Sequence, residues 1–183
     1  MRKVIFLLFL VTAFVFAQSP GQKYSVINRV IAAVNVWHSV ELDFDELSSG
    51  LSEVEVLALY PDLGLNCMND PSDMGDRSCF TNVRRVNGFD AWFIEFFFDG
   101  DKLNQVKVDF IPAGHKEILN VMEAEHGEPH DMKPDQNGNT VIGWILKSGV
   151  LATNQTTYSD NTTQVLWLSK QKVLKSFLMI KRL

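Results

Sequence analysis

The feature that most constrains the fold is an apolar run followed by a turn and a second, alternating run. Residues 91–98 are apolar on nearly both faces of an extended chain. The sequence Asp99-Gly100-Asp101-Lys102 has strong turn chemistry, and residues 105–110 then alternate polar and apolar side chains. This pattern predicts a β-hairpin whose first strand lies centrally in a sheet, with other groups packed on both of its faces.

The N-terminus has the features of a secretory signal. Arg2 and Lys3 precede an apolar run from Val4 to Phe16, and the small residue Ala17 stands before Gln18. A basic start, an apolar stretch of this length and a small residue at the cut are typical of a signal peptide rather than of a membrane-spanning helix. We therefore expect cleavage between Ala17 and Gln18 and an exported protein, periplasmic or secreted, that is soluble after cleavage.

The size and net charge of the chain limit the number of domains and the kinds of partner that we expect. Without residues 1–17 the chain has 166 residues, 15 Lys+Arg and 22 Asp+Glu, which is enough for one domain with a net charge of −7. This sign excludes nucleic acid as an expected partner, because phosphate binding needs concentrated positive charge. No second apolar run approaches the roughly 20 residues that cross a bilayer.

Two cysteines, Cys67 and Cys79, lie in the mature chain. In an oxidising compartment such a pair forms a disulfide, and the absence of a CxxC motif argues against a redox or nucleophilic role. The residues between them are rich in Asn, Asp, Pro, Ser and Gly, which predicts a loop clipped by the disulfide.

The rest of the chain predicts two helices and several strands. Ser52 and Glu55 have capping-box spacing, which predicts a helix from Glu53 to about Tyr60, and apolar spacing predicts another over residues 114–126. Period-two patterns predict strands over residues 34–44, 140–147, 150–157 and 163–169.

These elements predict an α+β fold in which an antiparallel sheet of about five or six strands has two helices packed on one face. A helix followed by antiparallel strands occurs twice, which raises the hypothesis of two αβ repeats. Four segments follow: a signal peptide (1–17), a lead-in of undecided structure (18–33), a single α+β domain (34–169) and a basic amphipathic tail (170–183).

On three motifs the chain resembles exported bacterial envelope proteins. They are a helix start, Gly50-Leu51-Ser52-x-x-Glu55-Val56, a turn, Phe98-Asp99-Gly100-x-Lys102-Leu103, and a helix end, Gly127-Glu128-Pro129. More distantly, the chain is similar to the small outer-membrane-assembly lipoproteins (the SmpA/OmlA type) and to the β-lactamase-inhibitor protein fold, although it lacks the anchoring cysteine of those lipoproteins. The resemblance implies a binding or scaffold module of the envelope and carries over no catalytic residue.

Two sets of side chains are candidates for metal binding. His126 and His130 are four residues apart, but Gly127 and Pro129 interrupt the helix between them. The alternative is that His126 interacts with a helix C-terminus and His130 lies in a loop.

The second set is Asp70, Asp73 and Asp76, which offers the oxygen ligands that calcium prefers but misses the EF-hand spacing, so a solvated acidic loop is the alternative. Glu95, inside the apolar run, could be a carboxylate of raised pKa, as catalytic acids are, but we favour the structural alternative, in which it lies on a partly open face or pairs with a base. We predict no cofactor.

The tail Lys170–Leu183 has five basic residues, no acidic residue and an apolar stripe at helical spacing. Such a helix binds an anionic membrane peripherally or docks into a partner, and the alternative is packing on the domain's own sheet. Asn154 and Asn161 match the glycan acceptor pattern, which matters only in a source that glycosylates exported proteins.

No nucleophile elbow, P-loop, dinucleotide fingerprint or zincin motif occurs. We therefore predict an exported, non-enzymatic binding or assembly module whose partner is another envelope or secreted protein. The alternatives are an inhibitor or propeptide-like module that acts on a secreted enzyme, and a small metal-dependent hydrolase.

Overall fold

A computed structural model describes residues 38–132, 138–156 and 163–173, apart from the side chain of Asp70. The described residues belong to one compact unit that begins at His38. The predicted signal peptide, its cleavage at Ala17 and Gln18, the lead-in and residues 174–183 of the tail lie outside the described residues.

Ten strands, two complete α-helices and the first residues of a third helix, 170–173, occur in the described residues. The strands are β1 (Ser39–Val40), β2 (Asn66–Ser72), β3 (Gly75–Asn82), β4 (Arg85–Val86), β5 (Phe89–Asp99), β6 (Lys102–Phe110), β7 (His130–Asp131), β8 (Val141–Ile145), β9 (Gly149–Asn154) and β10 (Thr163–Ser169). The helices are α1 (Glu53–Leu59) and α2 (His115–His126), and short 3₁₀ turns cover Pro61–Leu63 and Pro112–Gly114.

The ten strands form one mixed sheet with the order β1-β4-β5-β6-β10-β9-β8-β7. The long strand β5 pairs with β4 near its start and with β3 further along, and β2 pairs with β3. The β1–β4 pair is parallel and the others are antiparallel.

The predicted antiparallel sheet of five or six strands with two helices on one face is therefore wrong. Two of the additional strands, β4 and β7, are two residues long, and a pair of residues is too short to show a period of two. The predicted strand over residues 34–44 is a strand only at Ser39–Val40 within its described part.

The remaining additional strands are β2 and β3, where the sequence predicted a loop. They form an antiparallel hairpin in which Cys67 lies directly opposite Cys79. Polar and turn-forming residues are tolerated in this hairpin because β2 pairs with β3 alone among the described strands. The predicted Cys67–Cys79 disulfide is confirmed.

The predicted hairpin of residues 91–110 is confirmed as β5 and β6. Asp99 pairs with Lys102, and the two residues between them, Gly100 and Asp101, have φ values of 57° and 63°. Two successive positive φ values match a type I′ turn, whose twist suits a two-residue hairpin.

Both predicted helices are also present. In α1, Ser52 Oγ accepts from the Glu55 backbone N–H at 3.3 Å and the Ser52 N–H donates to the Glu55 carboxylate at 2.7 Å. These two hydrogen bonds complete the predicted capping box. The pKa of Glu55 is lowered because its carboxylate accepts from the Ser52 backbone N–H and from the Ser52 hydroxyl. Helix α2 ends at Gly127, whose carbonyl accepts from Trp144 Nε1 at 2.8 Å.

One apolar core cluster joins the sheet to both helices. Its largest buried side chains are those of Trp144, Trp167, Phe96 and Phe98, and the helices contribute Val56, Ile118 and Met122. Tyr60, just after α1, stacks on Phe96 with ring centroids 5.6 Å apart. The loop after β1 contributes Leu42, Phe44 and Leu47 to the same cluster.

Candidate functional site

The loop after β1 carries an acidic segment, which we define as residues 41–46 (Glu-Leu-Asp-Phe-Asp-Glu). The side chains of Leu42 and Phe44 are buried, as the alternating sequence predicted, and the four acidic residues are exposed. The segment therefore presents four carboxylates to solvent while its apolar side chains anchor it in the core.

Side-chain hydrogen bonds from distant parts of the chain hold the acidic segment in place. Asn87 accepts from the Leu42 N–H at 2.6 Å and donates to the Leu42 carbonyl at 2.9 Å. Ser148 Oγ donates to the Phe44 carbonyl at 2.7 Å and accepts from Trp167 Nε1 at 3.0 Å. The segment is thus preorganised, although it is not a strand.

A turn inside the segment groups its carboxylates. Asp43 Oδ1 accepts from the backbone N–H groups of Asp45 and Glu46 at 2.9 and 3.2 Å, and the Leu47 N–H donates to the Asp43 carbonyl at 3.2 Å. This geometry keeps Asp45 and Glu46 close to Asp43, so three of the four negative charges lie within one turn.

No described cation neutralises these four carboxylates. The ion pairs among the described residues involve other acids: Arg77 with Glu53, Arg85 with Asp90, and Lys107 with Glu95 and Asp109. Like charges held close together repel one another and disfavour the folded state. The acidic segment is therefore a site where a cationic ligand would relieve repulsion.

A cleft, here called the α2 cleft, separates the acidic segment from α2. It has a volume of about 210 Å³ and an apolar floor of Phe44, Phe89, Phe110, Ile118, Met122 and Leu151. A more open cavity of about 500 Å³ continues from it over Asp43 and Asp45, and both are bordered by Glu41, Asn87, Glu125 and His126. An apolar floor with an acidic mouth fits a ligand that is both apolar and cationic.

The metal candidates are not assembled into a site by the described residues. His126 borders the α2 cleft with its Nε2 3.8 Å from Glu125, whereas His130 is exposed in β7 opposite Gly143. Among the described residues, the one group of three His, Cys, Asp or Glu side chains with clustered ligand atoms is Glu53, Cys67 and Cys79, whose sulfurs form the disulfide.

The sequence predicted that the acidic residues between the cysteines lie in a loop clipped by the disulfide. They belong instead to the hairpin β2–β3 and its turn. Asp73 and Asp76 border a pocket together with Lys172, which donates to the Asp73 carbonyl. Asp76 accepts from the Gly100 N–H at 3.2 Å, and the side chain of Asp70 lies outside the description. A lysine inside this pocket opposes calcium binding.

Glu95 pairs with a base, one of the two structural interpretations that the sequence favoured. Lys107 Nζ lies 3.1 Å from its carboxylate and 3.9 Å from that of Asp109, on the sheet face that also carries Phe93. Burial raises the pKa of Asp109, and the positive charge of Lys107 opposes that rise.

The two glycan acceptor positions differ in what the structure says of them. The side chain of Asn154 is buried at the end of β9, opposite Val141, which disfavours attachment of a glycan to the folded domain. Asn161 is outside the described residues.

Sequence reasoning missed the residues that make the acidic segment a site. Asn87 and Ser148 lie 45 and 104 residues from their partners in the segment. The available signal was Asn87-Gly88, a dipeptide typical of a type I′ turn, and both residues have positive φ. That signal predicts the turn between β4 and β5 but not what the Asn87 side chain binds.

Replacement of Asn87 tests how strongly the acidic segment is held. We expect Asn87→Ala to lower the free energy of unfolding by about 2–4 kcal/mol, because two hydrogen bonds are lost and alanine is strained at a φ of 51°. Asn87→Gly, which loses the same hydrogen bonds without the strain, should cost about 1–2 kcal/mol. Urea unfolding followed by tryptophan fluorescence measures the free energy of unfolding of both variants. If both unfold at the same urea concentration as the wild type, Asn87 does not anchor the acidic segment.

No model of a known protein family, no characterised protein and no solved structure matches this chain. The resemblance to envelope proteins and to the outer-membrane-assembly lipoproteins therefore stays a prediction. In the described residues, no helix is both long and apolar enough to span a membrane.

Proposed function

We propose that the protein is an exported, non-enzymatic binding module of the cell envelope whose acidic segment and α2 cleft hold a basic, apolar segment of another protein. One observation carries the proposal: four exposed carboxylates without a described cation lie beside an apolar cleft, on a segment that is held rigidly. Preorganisation of this kind reduces the entropy lost on binding.

Charge supports a protein partner with basic side chains. The mature chain has a net charge of −7, and the acidic segment concentrates four of its negative charges. Complementary charges accelerate encounter and set orientation, and the apolar floor of the cleft adds affinity by burying apolar side chains. A purely polar cation, such as a metal ion, would leave that floor unused.

The disulfide supports export. Structural disulfides form in oxidising compartments and are rare in the cytosol, and Cys67 and Cys79 are bonded to each other, with no free cysteine in the described residues. Together with the signal-like N-terminus, this bond supports maturation in the periplasm or outside the cell.

The two other functions predicted from the sequence would be recognised by measuring enzyme activity. An inhibitor or propeptide-like module would bind and block a secreted enzyme, and a metal-dependent hydrolase would turn over a substrate after addition of zinc. Peripheral membrane contact through Lys170–Leu183 stays a separate prediction, because residues 174–183 are not described.

Neutralisation of the acidic segment tests the proposal. The variant combines Glu41→Gln, Asp43→Asn, Asp45→Asn and Glu46→Gln; the amide oxygen that replaces Asp43 Oδ1 still accepts the two turn hydrogen bonds, while the four charges are lost. We expect this variant to bind a leucine–arginine peptide, a synthetic repeat of Leu-Ser-Arg-Ser that carries both residue types on one face when extended, about 10–100-fold more weakly at low salt. Each charge pair contributes a few tenths of a kcal/mol or more.

The matched control removes four exposed charges elsewhere: Asp62→Asn, Glu117→Gln, Glu123→Gln and Asp131→Asn. It has the same net charge as the neutralised variant, so long-range attraction is reduced equally. Isothermal titration calorimetry with the leucine–arginine peptide, and with a leucine–glutamate peptide, measures both. Equal losses in the two variants, or equal affinity for the two peptides, would contradict the proposal.

A further inference from the structure

A second apolar pocket lies on the other side of the acidic segment, next to α1. This α1 pocket has a volume of about 520 Å³ and is lined by Leu47, Leu51, Leu59 and Tyr60 together with Glu41, Asp43 and Glu46. None of its apolar side chains borders the α2 cleft. The acidic segment therefore stands as a ridge between two pockets of similar chemistry.

The two pockets share carboxylates. Glu41 and Asp43 line the α1 pocket and also the cavity that continues from the α2 cleft. A cationic group bound by these two carboxylates has apolar wall on both sides: Phe44 toward the cleft, and Leu47 with Leu51 toward α1.

The α1 pocket offers apolar surface that the fold leaves uncovered. The side chain of Leu59 is 56% exposed at the end of α1, and the Tyr60 ring behind it is fixed by its stacking on Phe96. Burial raises the pKa of the Tyr60 hydroxyl, and the nearby charges of Asp43 and Glu46 raise it further. Tyr60 therefore keeps its proton at neutral pH and can donate a hydrogen bond.

From this juxtaposition we infer that the α1 pocket is a second subsite of the same binding site. Its occupant is a segment of a partner protein in which one basic side chain lies between two apolar side chains on one face. The inference rests on the proposed function, and it specifies the sequence of the partner segment. A segment with one apolar side chain beside its basic residue fills one pocket. A segment with an apolar side chain on each side of its basic residue fills both the α1 pocket and the α2 cleft.

The geometry of an extended peptide fits this arrangement. Side chains at positions i, i+2 and i+4 of a strand point to one face and span roughly 13 Å. The shortest probe is therefore a peptide with the core Leu-Ser-Arg-Ser-Leu, and its comparison peptides replace one or both leucines by serine.

Replacement of Leu59 tests the second subsite. We expect Leu59→Ser to weaken binding of the two-leucine peptide about five- to tenfold, because the apolar contact in the α1 pocket is lost. Val54→Ser is the matched control: Val54 is on the same helix, is 73% exposed and lies outside the residues that line the pocket. It should leave the affinity within about twofold of wild type, and Leu59→Met, which keeps an apolar side chain, should do the same.

Fluorescence anisotropy of the labelled peptides separates the two proposals. If the two-leucine peptide binds equally to wild type and Leu59→Ser, while the neutralised acidic segment binds it weakly, the second subsite is wrong and the proposed function stands. If neither variant weakens binding, both proposals are wrong. If the gain from the second leucine disappears in Leu59→Ser and persists in Val54→Ser, the α1 pocket is the second subsite.

Discussion

Replacement of Gly149 by alanine is expected to destabilise the protein by about 3 kcal/mol or more. A Cβ at this position would lie 2.1 Å from the carbonyl oxygen of Leu168 and 3.1 Å from Trp167 Nε1. The Leu168 oxygen is part of the β10 backbone, which pairs with β9 and β6 and cannot move without breaking that pairing. The added methyl group therefore strains the β9–β10 pair at the end where β9 begins.

The same substitution should also weaken peptide binding. Gly149 follows Ser148, which donates to the Phe44 carbonyl and accepts from Trp167 Nε1. A displaced β9 would shift this link between the sheet and the acidic segment. Both effects are measurable: the free energy of unfolding by urea denaturation, and affinity for the leucine–arginine peptide by calorimetry.

Gly50→Ala is the control for Gly149→Ala. A Cβ at Gly50 would meet Ser48 Oγ at 3.5 Å as its nearest neighbour, an ordinary van der Waals contact. This change should leave stability within about 1 kcal/mol of wild type. Equal urea midpoints for the two variants would show that β9 and β10 do not approach each other as closely as described.

Removal of the disulfide is the second large effect. We expect the Cys67→Ala, Cys79→Ala double variant to lose about 2–4 kcal/mol, since a cross-link between residues 12 apart stabilises by about 3 kcal/mol in the chain-entropy model. Cys79 is fully buried in the core cluster, so the smaller alanine also leaves unfilled volume.

Reductant provides the internal control for this experiment. Urea unfolding of the wild type in the presence of a reductant should approach that of the double variant, whereas the double variant itself should not respond. Thiol titration of the oxidised wild type should find no free thiol. Two titratable thiols in the native protein, or a double variant as stable as the wild type, would contradict a structural role for the bond.

The sequence predicted best those elements whose signals are carried by near neighbours in the chain. The hairpin β5–β6 follows from alternation around a two-residue turn, and α1 follows from Ser52 and Glu55, which cap its first turn. Burial of Leu42 and Phe44 follows from the same period of two, although residues 41–44 form no strand. In each case the deciding interactions are local.

The failures have a common physical cause, which is that strand pairing joins residues far apart in the chain. Composition predicted a loop between Cys67 and Cys79, but those residues gain a pairing partner in β5 and become the hairpin β2–β3. The two-residue strand β4 lies between β1 and β5 and pairs with both, and no local pattern marks β1 or β4. The number of strands therefore depends on which distant segments pair with one another, and the local sequence pattern does not contain that information.

The same distinction between local and distant interactions applies to the candidate site. The sequence by itself determined that residues 41–45 alternate acidic and apolar side chains and that two cysteines can be joined. Only the tertiary structure decided that Asn87 and Ser148 hold this segment between α1 and α2, with apolar pockets on both sides. Charge and periodicity are properties of neighbouring residues, whereas a pocket exists only when distant segments pack against one another.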